Sequence, residues 1–392
     1  MFGSIYVGLS GLNAYSKGLQ QVSSNITNLN SSGFKASTVT FTDQFSVRSN
    51  NLANANSRET TGRGVDTGRT QLDYKQGELR QTNRDLDLAV DGNGFLMLTR
   101  GEEVAYTRTG SFEVDKDGFI VLAGTDYRLA TIDGSGRAVS LSIDASRTSP
   151  PKPTTTIKFA DNLSSTATTH ALGDIKVIDK QGGEHVWQVQ FAKKADGAPD
   201  EWTVTVTDAK AKVVGAQTLK FNGGIVDPAT AKLVFADEEN GTSVMLDLSE
   251  NVTSFSSGQV STLRTASVDG YKSGTITSVG VNDKGALEIG YSNEQKKDLG
   301  AVAIADFRDP QALEQRSGGL FADTGRAGRQ VAGSEDVRVG RVLSRRLEAS
   351  NVDLAKQFGD LILIQRGFQA SSQIISVSND MIQQLFGIRG QG

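Results

Sequence analysis

The 392-residue chain has no cysteine, which excludes a disulfide framework and thiolate metal sites. Its only histidines are His170 and His185. No Asp/Glu cluster at ligand spacing surrounds them, so no metal site is expected and both read as surface or strand residues. No apolar run approaches the ~18 residues of a membrane span. The net charge of −4 and a pI near 5.5 give no electrostatic case for nucleic acid or an anionic membrane. Arg345-Arg346 and Lys296-Lys297 are too short for a nucleic-acid patch. Gly-x-Ser-x-Gly elbows and phosphate-binding loops are also missing. Gly92-x-Gly94 has no helix-forming segment behind it, and Asp115-x-Asp117-Gly118 lacks the closing Glu of a calcium loop. Both read as turns, and Glu102-Glu103 and Glu238-Glu239 as solvated carboxylates. No catalytic residue, cofactor or metal is expected. The N-terminus carries no Lys or Arg ahead of its apolar residues and no continuous apolar stretch, so no secretory signal is read there.

What the chain does have is a repeat at each end. Ile5, Leu12, Leu19 and Ile26 stand seven apart, as do Tyr15, Val22 and Leu29. Near the other end Leu347, Leu354, Leu361, Phe368, Ile375 and Ile382 return every seven positions, with Phe358, Ile364, Leu385 and Phe386 in a second row. This spacing predicts two amphipathic helices that bury their stripes on each other. Between residues 1 and 33 the one charged side chain is Lys17. The face opposite the stripe is Asn, Ser, Gln and Gly, which suits close packing against further chains. Gly3, Gly8, Gly11 and Gly18 would each cost about 1 kcal/mol relative to Ala in a helix interior, so this helix needs partners. Asn351 or Asp353 is the expected N-cap of the second helix.

Between the ends the pattern is β. Residues 36–70 are polar and weakly periodic. From Gln71 short alternating segments begin, with Asp91-Gly92-Asn93 expected as a hairpin turn. Ser149-Pro150-Pro151-Lys152-Pro153 holds three of the chain's six prolines and marks a boundary. Alternating runs at 174–178, 185–191, 202–207, 218–221, 232–236 and 244–248 follow, reading as a sandwich or barrel. The fold class expected is α+β and multidomain. Residues 1–33 and 347–392 form a helical coiled-coil domain, and 34–70 an extended linking segment. Residues 71–149 and 263–346 form an inner β domain, with 150–262 inserted in it as an outer β domain.

The stretch Val22-Ser23-Ser24-Asn25-Ile26-Thr27-Asn28-Leu29-Asn30-Ser31-Ser32-Gly33-Phe34-Lys35 resembles the N-terminal signature of the bacterial flagellar rod and hook protein family. Asn25, Asn28, Asn30, Gly33, Phe34 and Lys35 carry the match. Ser24 stands where the family usually has a second Asn, and Leu29 where it has a small residue. Leu347-Glu348-Ala349-Ser350-Asn351-Val352-Asp353-Leu354, with Gln365 and Arg366 further on, resembles the C-terminal counterpart. Its signature positions are Ser350, Asn351, Val352, Asp353, Gln365 and Arg366. Gln76-Gly77-x-Leu79, 86–95, 106–118 and 287–321 resemble the family's first β domain. Phe41-x-x-x-Phe45 resembles an export-gate motif, a spacing that is common by chance.

The resemblance covers 1–150 and about 265–386. It implies a structural subunit that polymerises with itself into a curved, flexible helical tube transmitting torque. Ile5, Leu12, Leu19, Val22, Ile26, Leu29, Leu354, Leu361, Phe368, Ile375 and Ile382 would be its assembly positions. The implied partners are further copies, a rod protein below, a junction protein above, a hook cap and the type III export apparatus, with no nucleic acid and no membrane insertion. The implied location is the hook outside the cell, reached without a cleaved signal peptide. Residues 150–262 favour a hook-type over a rod-type member. A surface adhesin with a coiled-coil stalk is the alternative from another class.

Overall fold

The structure, a computed structural model, describes residues 2–48, 59–194, 200–334, 336 and 338–389. It divides into two compact units. One, the inner unit, comprises 1–144, 279–288 and 298–392; the other, the outer unit, comprises 145–278 and 289–297.

The inner unit opens with helix α1 (Phe2–Thr27) and ends with helix α2 (Leu354–Arg389). Helix α2 starts at Leu354, not at Leu347. Leu347 sits in the strand Arg346–Glu348, which pairs with Leu79–Gln81, so the seven-residue repeat ran one step beyond the helix. The start is fixed by Asp353, whose Oδ1 accepts the N–H groups of Ala355 (2.9 Å) and Lys356 (3.2 Å), satisfying donors that have no partner inside the helix. Two strands follow α1: β1 (Ser37–Arg48) and β2 (Glu59–Leu72), paired antiparallel. The segment expected to be an extended link is thus, over its described residues, a ribbon. Its Thr38-Val39-Thr40-Phe41-Thr42 run supplies the β-branched and aromatic residues that a pleated surface favours. The ribbon lies on α1: Val65 donates its N–H to Ser10 Oγ (3.2 Å) and Lys17 Nζ donates to Thr67 Oγ1 (3.0 Å).

The rest of this unit centres on a twelve-stranded sheet. Asp87–Asp91 lies between Thr109–Val114 and Arg341–Ser344 and does not pair with Phe95–Arg100. Asp91-Gly92-Asn93 is therefore a crossing between non-adjacent strands, not a hairpin turn. The reason is local. Gly92 has φ +135°, and a β-carbon there would stand 2.7 Å from Gly340 Cα. The 339–340 segment passes directly against the crossing and takes the place a hairpin partner would need. The core is aromatic on one side, with Tyr106 edge-on to Phe307 (4.9 Å) and Phe95 edge-on to Phe321 (5.5 Å).

A ten-stranded sheet organises the outer unit. Its strands alternate: Trp202, Val204 and Val206 are buried while Thr203, Thr205 and Thr207 are half-exposed. Trp187, Val189, Phe191, Leu233, Phe235, Val244 and Leu246 join them in one core. This follows from side chains pointing to opposite faces every second residue. Five of the six alternating runs read from the sequence lie within a strand, and the sixth, 244–248, runs one residue past the strand Thr242–Asp247. His170 Nε2 is 2.9 Å from Leu263 O, and His185 Nε2 is 2.9 Å from Asp179 Oδ2.

Candidate functional site

The two helices run antiparallel against each other, and the closest approach is made by glycine. A β-carbon on Gly8 would stand 2.8 Å from Ile375 Cγ1, on Gly11 2.6 Å from Ser371 Oγ, and on Gly18 3.2 Å from Ile364 Cδ1. From the other side, Gly367 gives way to Tyr15, whose ring would lie 2.3 Å from an added β-carbon. Gly8, Gly11 and Gly18 are buried, together with Ala14, Val22 and Asn25, and on α2 with Gln357, Ser371 and Ser378. Of the small-residue face, the glycines close the pair within one chain, while Ser4, Asn13, Gln20 and Ser23 remain exposed. Glycine removes the side chain that would hold the two backbones apart.

The apolar rows fall beside this seam. Leu12, Leu19 and Ile26 each follow a seam residue by one position, about 100° around the helix. Ile5, Leu12 and Ile26 are half-buried and Leu19 is exposed. Of the second row, Val22 is buried and Tyr15 and Leu29 half-buried. On α2, Leu361, Ile375 and Ile382 are half-buried, while Leu354 and Phe368 are exposed. Leu385's side chain lies outside the described residues.

At the foot of the pair the signature residues converge. Asn25, 1% exposed, donates from Nδ2 to Gln357 Oε1 (2.9 Å) and to Ser37 O (2.8 Å), and its Oδ1 accepts the Ser37 N–H (3.1 Å). One amide therefore ties α1, β1 and α2. Asn351 Oδ1 accepts the Ala36 N–H (2.7 Å), and its Nδ2 donates to Asp73 O and Lys75 O. Asn28 bonds back to Ser24 O, and Ser31 Oγ donates to its Oδ1. Gly33 has φ +71°, and its N–H reaches Glu348 O (2.8 Å). Phe34 O accepts from Asn351, Val352 is buried, and Ser350 is half-buried. Asn30, Gln365 and Arg366 are exposed and outside this cluster.

Beneath these lies a knot of charge that the sequence did not single out. Lys35 Nζ donates to Glu348 Oε1 (2.6 Å) and to Lys75 O (2.7 Å), and Arg108 Nε lies 3.4 Å from Glu348 Oε2. Lys35, Glu348 and Arg108 are 1%, 0% and 2% exposed. The Gly77 N–H also reaches Glu348 Oε1 (2.8 Å), and Arg108 donates to the carbonyls of Gly92 and Gly94. Burial pulls the Lys35 and Arg108 pKa values down, and the Glu348 carboxylate partly restores them. Lys35, Glu348 and Arg108 fall in three separate stretches of the family resemblance, up to 313 residues apart, and nothing in the sequence joins them.

Phe41 rests over α1, its ring centroid 5.6 Å from that of Tyr15. Phe45's side chain lies outside the described residues. Among the described residues no group of three or more His, Cys, Asp or Glu could hold a metal, and no helix is long and apolar enough to cross a membrane.

Two family models match the chain. "Flagellar basal body rod FlgEFG protein C-terminal" matches residues 343–388, and "Flagellar hook protein FlgE/F/G D1 domain" matches 89–157. The flagellar hook protein FlgE of Escherichia coli K12 is 30% identical over 410 aligned residues, covering 97% of this chain and 98% of that protein. Its counterpart in Borreliella burgdorferi is 27% identical over 99% of this chain and 100% of that protein. The crystal structure of Helicobacter pylori flagellar hook protein FlgE2 shares 12% identity, with a TM-score of 0.48 over 69% of this chain and 99% of that one.

Proposed function

Since the chain belongs to the flagellar hook protein FlgE family, whose members are structural and not enzymatic, we propose that its paired helices are the element that joins one copy to the next. The subunit serves motility as part of the flagellar hook, a homopolymer. One observation supports the helical reading. On α2, Leu363, Ala370, Ile374, Val377 and Met381 form an outward row, and all are exposed. Leu363, Ala370 and Val377 each precede a seam residue by one position, so the row stands about a quarter-turn from the closed seam. Leu363 is 69% exposed, and on α1 Tyr6 and Leu9 are each 58% exposed. A contiguous apolar row left in water marks an interaction surface. Glycine closes the pair inside the chain, and the large side chains are kept for neighbours.

On this reading the helical pairs form the inner wall of a tube. Head-to-tail contacts that do not close into a ring generate a helical polymer. Hook curvature and torque transfer follow from β units that slide outside while the helices interlock. Rod, junction protein, cap and the type III export apparatus are the partners at the ends and during growth. Phe41 lies against Tyr15 but stays 45% exposed, so the folded chain leaves it open to an export role.

The test is electron microscopy with light scattering. Wild type should form curved tubes, and Leu363→Asp/Val377→Asp should stay monomeric with its helices intact, because a charge in a buried contact is strongly unfavourable. Ile375→Asp, facing the seam, should lose both the helical pair and the tubes. Normal tubes from Leu363→Asp/Val377→Asp would sink the proposal.

A further inference from the structure

We propose that Glu348 is a positioning residue that docks both chain ends on the inner sheet, so that α1 cannot seat until the C-terminal segment delivers it. Every polar group of Glu348 is committed. Its carboxylate holds Lys35, Arg108 and the Gly77 N–H, its own N–H donates to Thr109 Oγ1 (3.1 Å), and its carbonyl accepts from Gly33. These contacts tie the segment after α1, the Gly77 backbone and the Arg108 corner to the strand that leads into α2. Among the described residues Glu348 is the one carboxylate within ion-pair distance of either cation.

The order of events follows from the charges. Lys35 and Arg108 both lie early in the chain, and Glu348 lies 313 and 240 residues after them. Seating the Lys35 segment without Glu348 would bury two cations side by side with only carbonyl oxygens in contact and the more distant Asp73 and Asp91 carboxylates to answer them, which is costlier than leaving both in water. The N-terminal segment therefore stays undocked until Glu348 arrives. Its arrival also brings Asn351 to Ala36 and Gln357 to Asn25. Closure of the sheet and ordering of the helix foot become one event.

The proposal rests on the helical pair as the assembly element only for its consequence. Its test is read on monomer, at concentrations below tube formation. Hydrogen exchange across residues 5–35 of full-length Glu348→Gln should show protection lowered on the order of 10²–10³-fold, the scale for orphaning a buried charge. Both tryptophans, Trp187 and Trp202, lie in the outer unit, so the fluorescence unfolding transition should not move. Glu348→Asp should recover part of the protection, because it keeps the charge. Lys35→Met removes one of the two cations and should leave protection within about threefold; in that background Glu348→Gln should be milder than alone. Wild-type protection in Glu348→Gln, equal losses in Glu348→Asp and Glu348→Gln, or a Lys35→Met loss as large as theirs would overturn the proposal. Should Glu348→Gln fail to fold, Lys35→Met and Glu348→Asp still decide between charge and shape.

Discussion

In the outer unit the large side chains of one core, Trp187, Trp202, Phe159, Phe191 and Phe235, are all within 2% of full burial, while Phe255 outside it is 55% exposed. In the helical pair the order is reversed: Leu363, Phe358 and Met381 are exposed, and the buried positions include Gly8, Gly11, Gly18, Ser371 and Ser378. Both regions obey the same hydrophobic effect, roughly 25 cal/mol per Å² of apolar surface removed from water. They differ in when it acts. The outer unit collects its burial within one chain. The helices use their smallest residues for the closest internal contact and leave Leu363, Ile374, Val377 and Met381 exposed, the row proposed above to meet other copies.

The comparison breaks most directly by truncating one large residue in each region. Trp202→Ala should cost the outer unit about 3–5 kcal/mol, read by denaturant unfolding with Trp187 as the remaining fluorophore. Leu363→Ala should change monomer unfolding by less than about 0.5 kcal/mol and weaken tube formation instead. A monomer loss at Leu363 as large as that at Trp202 would mean the helix face is already buried and erase the contrast. A smaller effect separates glycines within the pair. Gly359, with nothing within 4 Å of an added β-carbon, should gain up to about 1 kcal/mol on Gly359→Ala from helix propensity alone. Gly8→Ala brings the same propensity gain but meets Ile375 Cγ1 at 2.8 Å and Ser371 O at 3.2 Å. Overpacking of about 1–3 kcal/mol should outweigh it. Circular dichroism melts of the two variants should therefore move in opposite directions, and a shared sign would remove the seam.

These opposite signs also show what could be read in advance. Strand alternation in the outer unit was legible because one residue type, large and apolar, marks one face. The helices were legible as helices, since a seven-residue repeat survives whichever face is buried. Their seam was not, because reading burial from size selects Leu12 and Leu19 over Gly11 and Gly18, and at a close backbone approach the absence of a side chain matters more than its hydrophobicity. Asn351 and Asp353 were equally good caps by composition. Only the fold shows that Asp353 caps α2 while Asn351 is spent on Ala36, Asp73 and Lys75. Glu348 and Arg108 carried no local signal, since each is a single charge in a short strand-like run and its meaning comes from a partner hundreds of residues away.

A last, smaller effect sharpens the comparison within the inner unit, where polar groups are buried with and without partners. Asn25 is fully bonded, whereas the Tyr74 hydroxyl is buried with no hydrogen-bond partner among the described residues. The Tyr74 ring packs on Phe95 (6.0 Å) and Phe321 (5.9 Å). Burial, with Asp309 adding to it, pushes the phenol up to about 12 from its ordinary 10. The folded chain then keeps a proton that the unfolded chain has released across that interval. By linkage, stability is intact below pH 10 and falls as pH rises through 12. Lys35, pulled down by burial, acts in the opposite sense below its ordinary pKa of 10.5, so the Tyr74 contribution must be isolated by difference. Tyr74→Phe removes an oxygen that bonds to nothing and keeps the ring. Its unfolding free energy at neutral pH should match or slightly exceed wild type, since an unpaired buried hydroxyl is a liability. Between pH 10 and 12 its decline should be shallower than that of wild type. Parallel declines would show that Tyr74 titrates in the folded chain as it does in water.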